Sequence, residues 1–177
     1  MAAPVTTVSS LRLPKRLEQD ERYPLIVRRL GAEMRPLWSA GVLEVPTVEL
    51  TPPLATALKS ALSAKRIVRG LEDAERSLAA EAKGLRLIDD RTGAERGSRV
   101  SRLLLLADDG AESFCRQVEM VLQRHSPRVL AVRLCADGDV LGRLLYGPDK
   151  LAKLVMVDHK DAVAQVLLAL AGEPIAD

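Results

Sequence analysis

Aromatic residues are nearly missing: Tyr23, Trp38, Phe114 and Tyr146 are the full complement in 177 residues. The core must therefore be aliphatic, and stacking platforms for single-stranded nucleic acid are scarce. Cysteine is rarer still. Cys115 and Cys135 have neither the paired spacing of a zinc site nor the density of a disulfide scaffold. Both are expected as buried free thiols in a reducing compartment, one on an apolar helix face and one at a strand end. Two histidines are too few for most metal centres. His125 falls at a helix end and His159 at a helix start, where capping or exposure accounts for them. No apolar run approaches the ~18 residues of a membrane span. The phosphate-loop, dinucleotide, nucleophile-elbow and HExxH patterns are all missing, and no cofactor is implied.

Charge is close to balanced, at +2, but unevenly spread. Residues 54–100 hold ten Lys/Arg against seven Asp/Glu, and residues 101–177 hold nine against eleven. An electrostatic site for phosphate is thus expected on the first half of the folded domain, with a solvated basic surface as the alternative. The first 17 residues lack acids and carry Ser and Arg, as mitochondrial presequences do. Pro4 and Pro14 point instead to a disordered tail. The expected setting is intracellular: cytoplasm, nucleus or nucleolus, with the mitochondrion as a further option.

What is present is an alternation. Val100–Ala171 carries three short apolar runs, LLLLA, VLAV and LVMV, separated by helical patterns. Runs apolar at every position suit strands covered on both faces. The predicted fold is α/β, a three-layer α-β-α sandwich around a four-stranded mixed, partly parallel sheet. Its strands are a short one ending at Gly70, then Leu103–Ala107, Val129–Leu134 and Lys153–Val157. Helices are predicted at Leu54–Leu62, after a Thr51 N-cap, and from Leu71 with Ala74, Leu78 and Ala82 inward. Three more carry Phe114–Leu122, Val140–Tyr146 and His159–Ala171, the last closed by Gly172. Residues 84–101 break the pattern and read as a hairpin around Asp90–Gly93 or a loop. Ahead of Leu54, residues 1–22 look mobile and Tyr23–Trp38 has an apolar helical stripe. Val42–Leu50 alternates as an extended edge segment, because Pro46 argues against a central strand. Residues 1–53 are accordingly read as a partly disordered extension with an amphipathic segment, and 54–172 as the compact domain.

Two groups of residues could carry function. Asp108, Asp109 and Asp158 follow strands, where α/β enzymes place magnesium ligands or nucleophiles. Helix capping explains the same positions, and Asp137 and Asp139 besides. The second group is basic: Lys59, Lys65, Arg66, Arg69 and Arg76 surround the first strand and the start of the following helix. Gly70 opens that helix, so its free amides can meet an RNA phosphate or a base edge. A solvated basic edge is the other reading.

The order of elements resembles the kink-turn RNA-binding superfamily, the family of the archaeal ribosomal protein L-seven-Ae. The similarity covers about residues 54–172 and rests on ALKSALSAKRIVRG, RLLLLADDG, VLGRLLYG and KLVMVDHKDAVAQVL. The family opens its second helix with G-x-N-E-x-x-K, whose Asn, Glu and Lys contact the kink-turn. Here that place reads Gly70-Leu71-Glu72-Asp73-Ala74-Glu75-Arg76. Gly70 and Arg76 match in kind, and Asp73 keeps an acid. Glu72 replaces the Asn and, when ionised, only accepts hydrogen bonds. Residues 84–101 are an insertion relative to the family.

The resemblance implies a non-catalytic RNA-binding subunit of a ribonucleoprotein, of ribosomal or ribonuclease P/MRP type. Its partners would be a structured RNA and the other protein subunits. Lys65, Arg66, Arg69 and Arg76 would contact phosphates, with Gly70, Glu72 and Asp73 at the RNA-facing turn. A protein–protein module that kept the fold and lost RNA recognition is the alternative. A small Asp-dependent hydrolase is a third.

Overall fold

The computed structural model describes residues 12–92 and 99–172. The start of the chain (1–11) and residues 93–98 lie outside the described residues; of the turn expected around Asp90–Gly93, residues 90–92 instead end a helix and only Gly93 lies outside. The elements run α1 (Lys15–Glu18), α2 (Tyr23–Ala32), β1 (Met34–Pro36), β2 (Glu44–Val48), α3 (Pro52–Ser63), β3 (Ile67–Arg69) and α4 (Leu71–Thr92). They continue with β4 (Arg102–Leu106), α5 (Glu112–His125), β5 (Val129–Leu134), α6 (Gly138–Tyr146), β6 (Leu154–Val157) and α7 (Lys160–Leu168), closed by a 3-10 turn at Ala169–Ala171.

The strands form one mixed sheet in the order β1-β2-β5-β4-β6-β3. β2, β5 and β4 are parallel, whereas β6 is antiparallel to both β4 and β3. The sheet has six strands, not the four expected, because Val42–Leu50 supplies β2 and the end of the preceding amphipathic stretch supplies β1. Pro36 accounts for part of this: it disfavours helix at Arg35, so α2 stops at Ala32. β1 then forms the sheet edge, where prolines are tolerated, and shields β2 by pairing Met34 with Pro46.

Period-two alternation divides the apolar residues of each inner strand between two cores. Leu103, Leu105, Val132 and Val155 point to one face, under α1, α2, α3, α6 and α7. Leu104, Leu106, Ala131 and Met156 point to the other, under α4 and α5. The predicted three-layer α/β sandwich is thus the observed one. Residues ahead of Leu54 belong to it: Leu13, Leu17, Ile26 and Leu30 are fully buried in the first core beside Leu54 and Leu58. Residues 12–22, expected as mobile, are docked; Val100 donates to the Arg12 carbonyl at 2.7 Å and Arg99 pairs with Glu18 at 2.8 Å.

Several local expectations hold. Thr51 caps α3 by accepting from Leu54 N (3.4 Å), Asp137 caps α6 through Val140 N (2.9 Å), and His159 caps α7 through Asp161 N (3.2 Å). Asp108, Asp109 and Asp158 were expected to cap in the same way. They do not: Ala111 is the N-cap of α5, and His159 holds that place before α7. The break expected at residue 84 is also not there. α4 runs through Gly84 for 22 residues, about 33 Å at 1.5 Å per residue. An exposed helical glycine costs only about 1 kcal/mol, too little to stop a helix anchored by Ala74 and Leu78. Cys115 is buried as expected, but Cys135 is exposed.

Candidate functional site

The predicted basic group lies on the sheet edge formed by β3, and the short strand divides it. Register places Ile67 opposite Val157 and Arg69 opposite Val155. Lys65 and Arg66 therefore sit at the end where β4 and β5 begin, beside Asp158, whose N–H donates to the Arg66 carbonyl at 3.0 Å. Arg69, Gly70 and the start of α4 sit at the opposite end, where the parallel strands finish. From Arg66 to Arg69 the backbone spans about 10 Å at ~3.3 Å per residue.

At the second end Gly70 has φ +87°, a left-handed conformation that costs other residues roughly 1–2 kcal/mol. Its N–H donates to the Leu154 carbonyl (2.9 Å) and its carbonyl accepts from Ala74 N (3.1 Å), which locks the strand-to-helix turn. Open space lies where a Gly70 side chain would stand. Arg69 is held across the edge: its guanidinium lies 4.3 Å from the Tyr146 ring centroid and donates to the Leu151 carbonyl at 2.7 Å. Arg76 is turned back onto its own helix, 3.0 Å from Asp73 and 3.3 Å from Glu72. All three of those side chains are well exposed. Lys65 and Arg66 are exposed with no side-chain partner among the described residues.

The structure thus brings Arg69, Gly70, Glu72, Asp73 and Arg76 together and leaves Lys65 and Arg66 a strand-length away. It also adds the segment Tyr146–Lys153, which sequence reading did not single out for this edge. Leu151 is exposed there, and Lys150 beside it. No local signal could have located it, because the neighbourhood is created by the β3–β6 pairing across more than eighty residues.

The acidic group does not converge. Because β4 and β6 are antiparallel, with Leu103 opposite Val157, Asp108 and Asp158 lie at opposite ends of the sheet, about 20 Å apart along the strand at ~3.3 Å per residue. Asp109 is occupied instead. It accepts from Gly138 N (2.9 Å) and pairs with Lys153 Nζ (2.6 Å), and the lysine holds its carboxyl below the ordinary 3.8. That cluster fastens the β4–α5 and β5–α6 connections to the start of β6. No group of three or more His, Cys, Asp or Glu that could hold a metal occurs among the described residues. No described helix is long and apolar enough to cross a membrane.

Together these features define an α/β sandwich with a polar, cation-bearing β-edge and a glycine-opened helix. No family model matches the chain, and no curated protein matches it. Among solved structures it is similar to a Giardia lamblia 15.5kD RNA binding protein. That match has a TM-score of 0.46 and 16% identity over 68% of this chain and 83% of that one. It is also similar to a protein of unknown function from Bacillus halodurans C, with a TM-score of 0.40 and 16% identity over 69% of this chain and 98% of that one. At these scores neither likeness bears on fold or function, and the fold stands on its own strand order and packing.

Proposed function

We propose that the chain is a non-catalytic RNA-binding subunit of a ribonucleoprotein, of ribosomal or ribonuclease P/MRP type, with the β3–α4 edge as its RNA face. The observation that carries this reading is the Gly70 turn. A left-handed glycine opens a long helix at a sheet edge, with open space in front of it. Amides at a helix start are donors for phosphate. Arg69, braced by Tyr146, flanks them, while Lys65 and Arg66 extend the positive edge by one strand-length. Arg76 joins this set only by leaving Glu72 and Asp73. Exposed pairs of this kind are worth about 0.2–1 kcal/mol, so a phosphate competes with them readily.

A gel-shift titration against a kink-turn RNA and a mutated control, at several salt concentrations, tests the reading. RNA binding predicts an affinity that falls with salt, with a log–log slope of roughly −0.7 to −0.9 per phosphate neutralised. Arg69→Ala, and Lys65→Ala with Arg66→Ala, should weaken binding and flatten that slope. No binding at low salt refutes it.

One observation favours a second reading, a protein–protein module on the same fold. The first turn of α4 carries two carboxylates, Glu72 and Asp73, against the single cation Arg76, and negative charge repels phosphate. Under that reading Glu72→Gln leaves RNA binding absent. Under the first it strengthens binding.

A further inference from the structure

A second cluster of cations lies on the α4/α5 face, at the end of the sheet where β4 and β5 begin. There a cavity of about 150 Å³ is lined by Arg102, Arg124, His125 and Arg128, with Ser126 and the apolar Leu78, Ala82 and Val129. The wall thus holds three guanidiniums and an imidazole, and no carboxylate. The nearest acids stand outside it and brace the cations. Glu75 pairs with Arg124 at 2.8 Å, and Glu81 pairs with Arg128 and lies 3.1 Å from Arg102.

Bracing leaves one group over. Arg102 Nε is the atom that faces Glu81 Oε2 at 3.1 Å, but His125 Nε2 is fully buried and has no hydrogen-bond partner among the described residues. Buried polar groups are paired in the great majority of native sites, and each one left unmade costs about 1–3 kcal/mol. An unpartnered imidazole nitrogen on a cationic wall calls for an acceptor. Even with both acids counted, the five ionised groups sum to one positive charge. The carbonyl end of α5 opposes an anion with about half a charge, which the guanidiniums outweigh. The volume has room for several waters or one small polyatomic ion.

We infer that this cavity binds a tetrahedral oxyanion, a phosphate group accepting from His125 Nε2 and the Arg124 and Arg128 guanidiniums, with Arg102 adding positive charge to the same wall. Guanidiniums suit this role because they present paired donors to phosphate oxygens. The site is distinct from the β3–α4 edge. Arg69 lies at the opposite end of the sheet and plays no part in it.

The chain has only two histidines, so NMR reads the site directly. Burial, then Arg124, holds the His125 imidazole below the ordinary 6.5. Arg128 acts in the same direction, while Glu75 and Glu81 act against it; Arg102 shares the cavity wall. Titrating the full chain with inorganic phosphate should raise the His125 pKa by about one unit, because a nearby anion favours the imidazolium. The response should saturate, and His159, which does not line the cavity, should not follow. Arg124→Gln should weaken phosphate binding about tenfold, and Arg69→Ala should leave it unchanged. Arg124 is well exposed, so its replacement spares the fold. Sodium chloride at matched ionic strength is the control. A His125 shift that is absent, unsaturable, or equal in chloride overturns the proposal. A short RNA that displaces phosphate assigns the natural source to a polynucleotide backbone, and an RNA without effect assigns it to a free phosphate compound. Both outcomes uphold the site.

Discussion

Gly142, in α6, offers the sharpest test of how the Tyr146–Lys153 segment is held against the sheet. A Cβ built there would lie 2.2 Å from the Lys150 carbonyl oxygen, 2.5 Å from its carbon and 2.7 Å from Leu151 Cα. Carbon atoms pack at about 3.5–4.0 Å, so Gly142→Ala forces a separation of roughly 1 Å against backbone, which cannot swing aside as a side chain can. Either α6 lifts from the sheet, where Leu141 and Leu145 are buried, or the loop retreats. Retreat strains two bonds, Ala152 N to the Gly138 carbonyl (3.0 Å) and Arg69 Nη2 to the Leu151 carbonyl (2.7 Å).

Overpacking costs about 1–3 kcal/mol and a weakened hydrogen bond about 1 kcal/mol. The better helix propensity of alanine returns about 1 kcal/mol. The net expectation is a loss of about 1–3 kcal/mol, or roughly 3–10 °C in Tm for a domain of this size. Urea unfolding followed by circular dichroism should show a lower midpoint at unchanged m. Gly84 is the matched control: it too is helical, but nothing lies within 4 Å of its Cβ position. Gly84→Ala should therefore stabilise by about 0.4–1 kcal/mol. A Gly142→Ala protein as stable as the parent, or one that moves with Gly84→Ala, would refute the close packing of α6 on the 150–152 loop.

Other consequences are more direct. Glu119 is buried in α5 and accepts from Val42 N (3.1 Å), Leu43 N (3.2 Å) and Trp38 Nε1 (3.4 Å). Glu119→Ala strands these donors and should cost about 2–4 kcal/mol, with the Trp38 fluorescence reporting the loosened loop. The Asp109 carboxyl has a lowered pKa in the fold because Lys153 pairs with it. Its contribution to stability is present above the unfolded value of 3.8 and lost as pH falls through the lowered folded value. The drop in urea midpoint on acidification should be shallower in Lys153→Met, and an unchanged acid limb would count against the pair. Arg76 is exposed with both its acids, so Arg76→Ala should alter stability by less than about 0.5 kcal/mol, which leaves any RNA defect attributable to the lost contact.

The inner strands were legible because residues 103–107, 129–132 and 154–157 are continuously apolar, and burial on both faces demands that. The caps at Thr51, Asp137 and His159 were legible because capping is a contact within two or three residues. Less was visible ahead of Leu54. Leu13 and Leu17 lie in a polar stretch too short to show a period, and they are buried in the core on which α1 packs beside α7. The candidate site was half legible. Gly70 and its neighbours read as a turn before a helix, but the partners of Arg69, Tyr146 and Leu151, are remote in sequence. The unpartnered nitrogen of His125 carries no sequence signal at all, because its surroundings depend on how α4, α5 and two strand ends meet.

The sequence by itself determined the layers: alternation within each strand sorts Leu103 from Leu104, and hydrophobic burial then requires helices on both faces. It also determined that cations gather before α4. Tertiary structure alone decided direction and neighbourhood. The antiparallel entry of β6 beside β4 separates Asp108 from Asp158, and the same pairing carries Tyr146 and Leu151 to Arg69. Strand order follows from which long-range pairings bury the most apolar surface together, a property of the whole chain that no local run of residues contains.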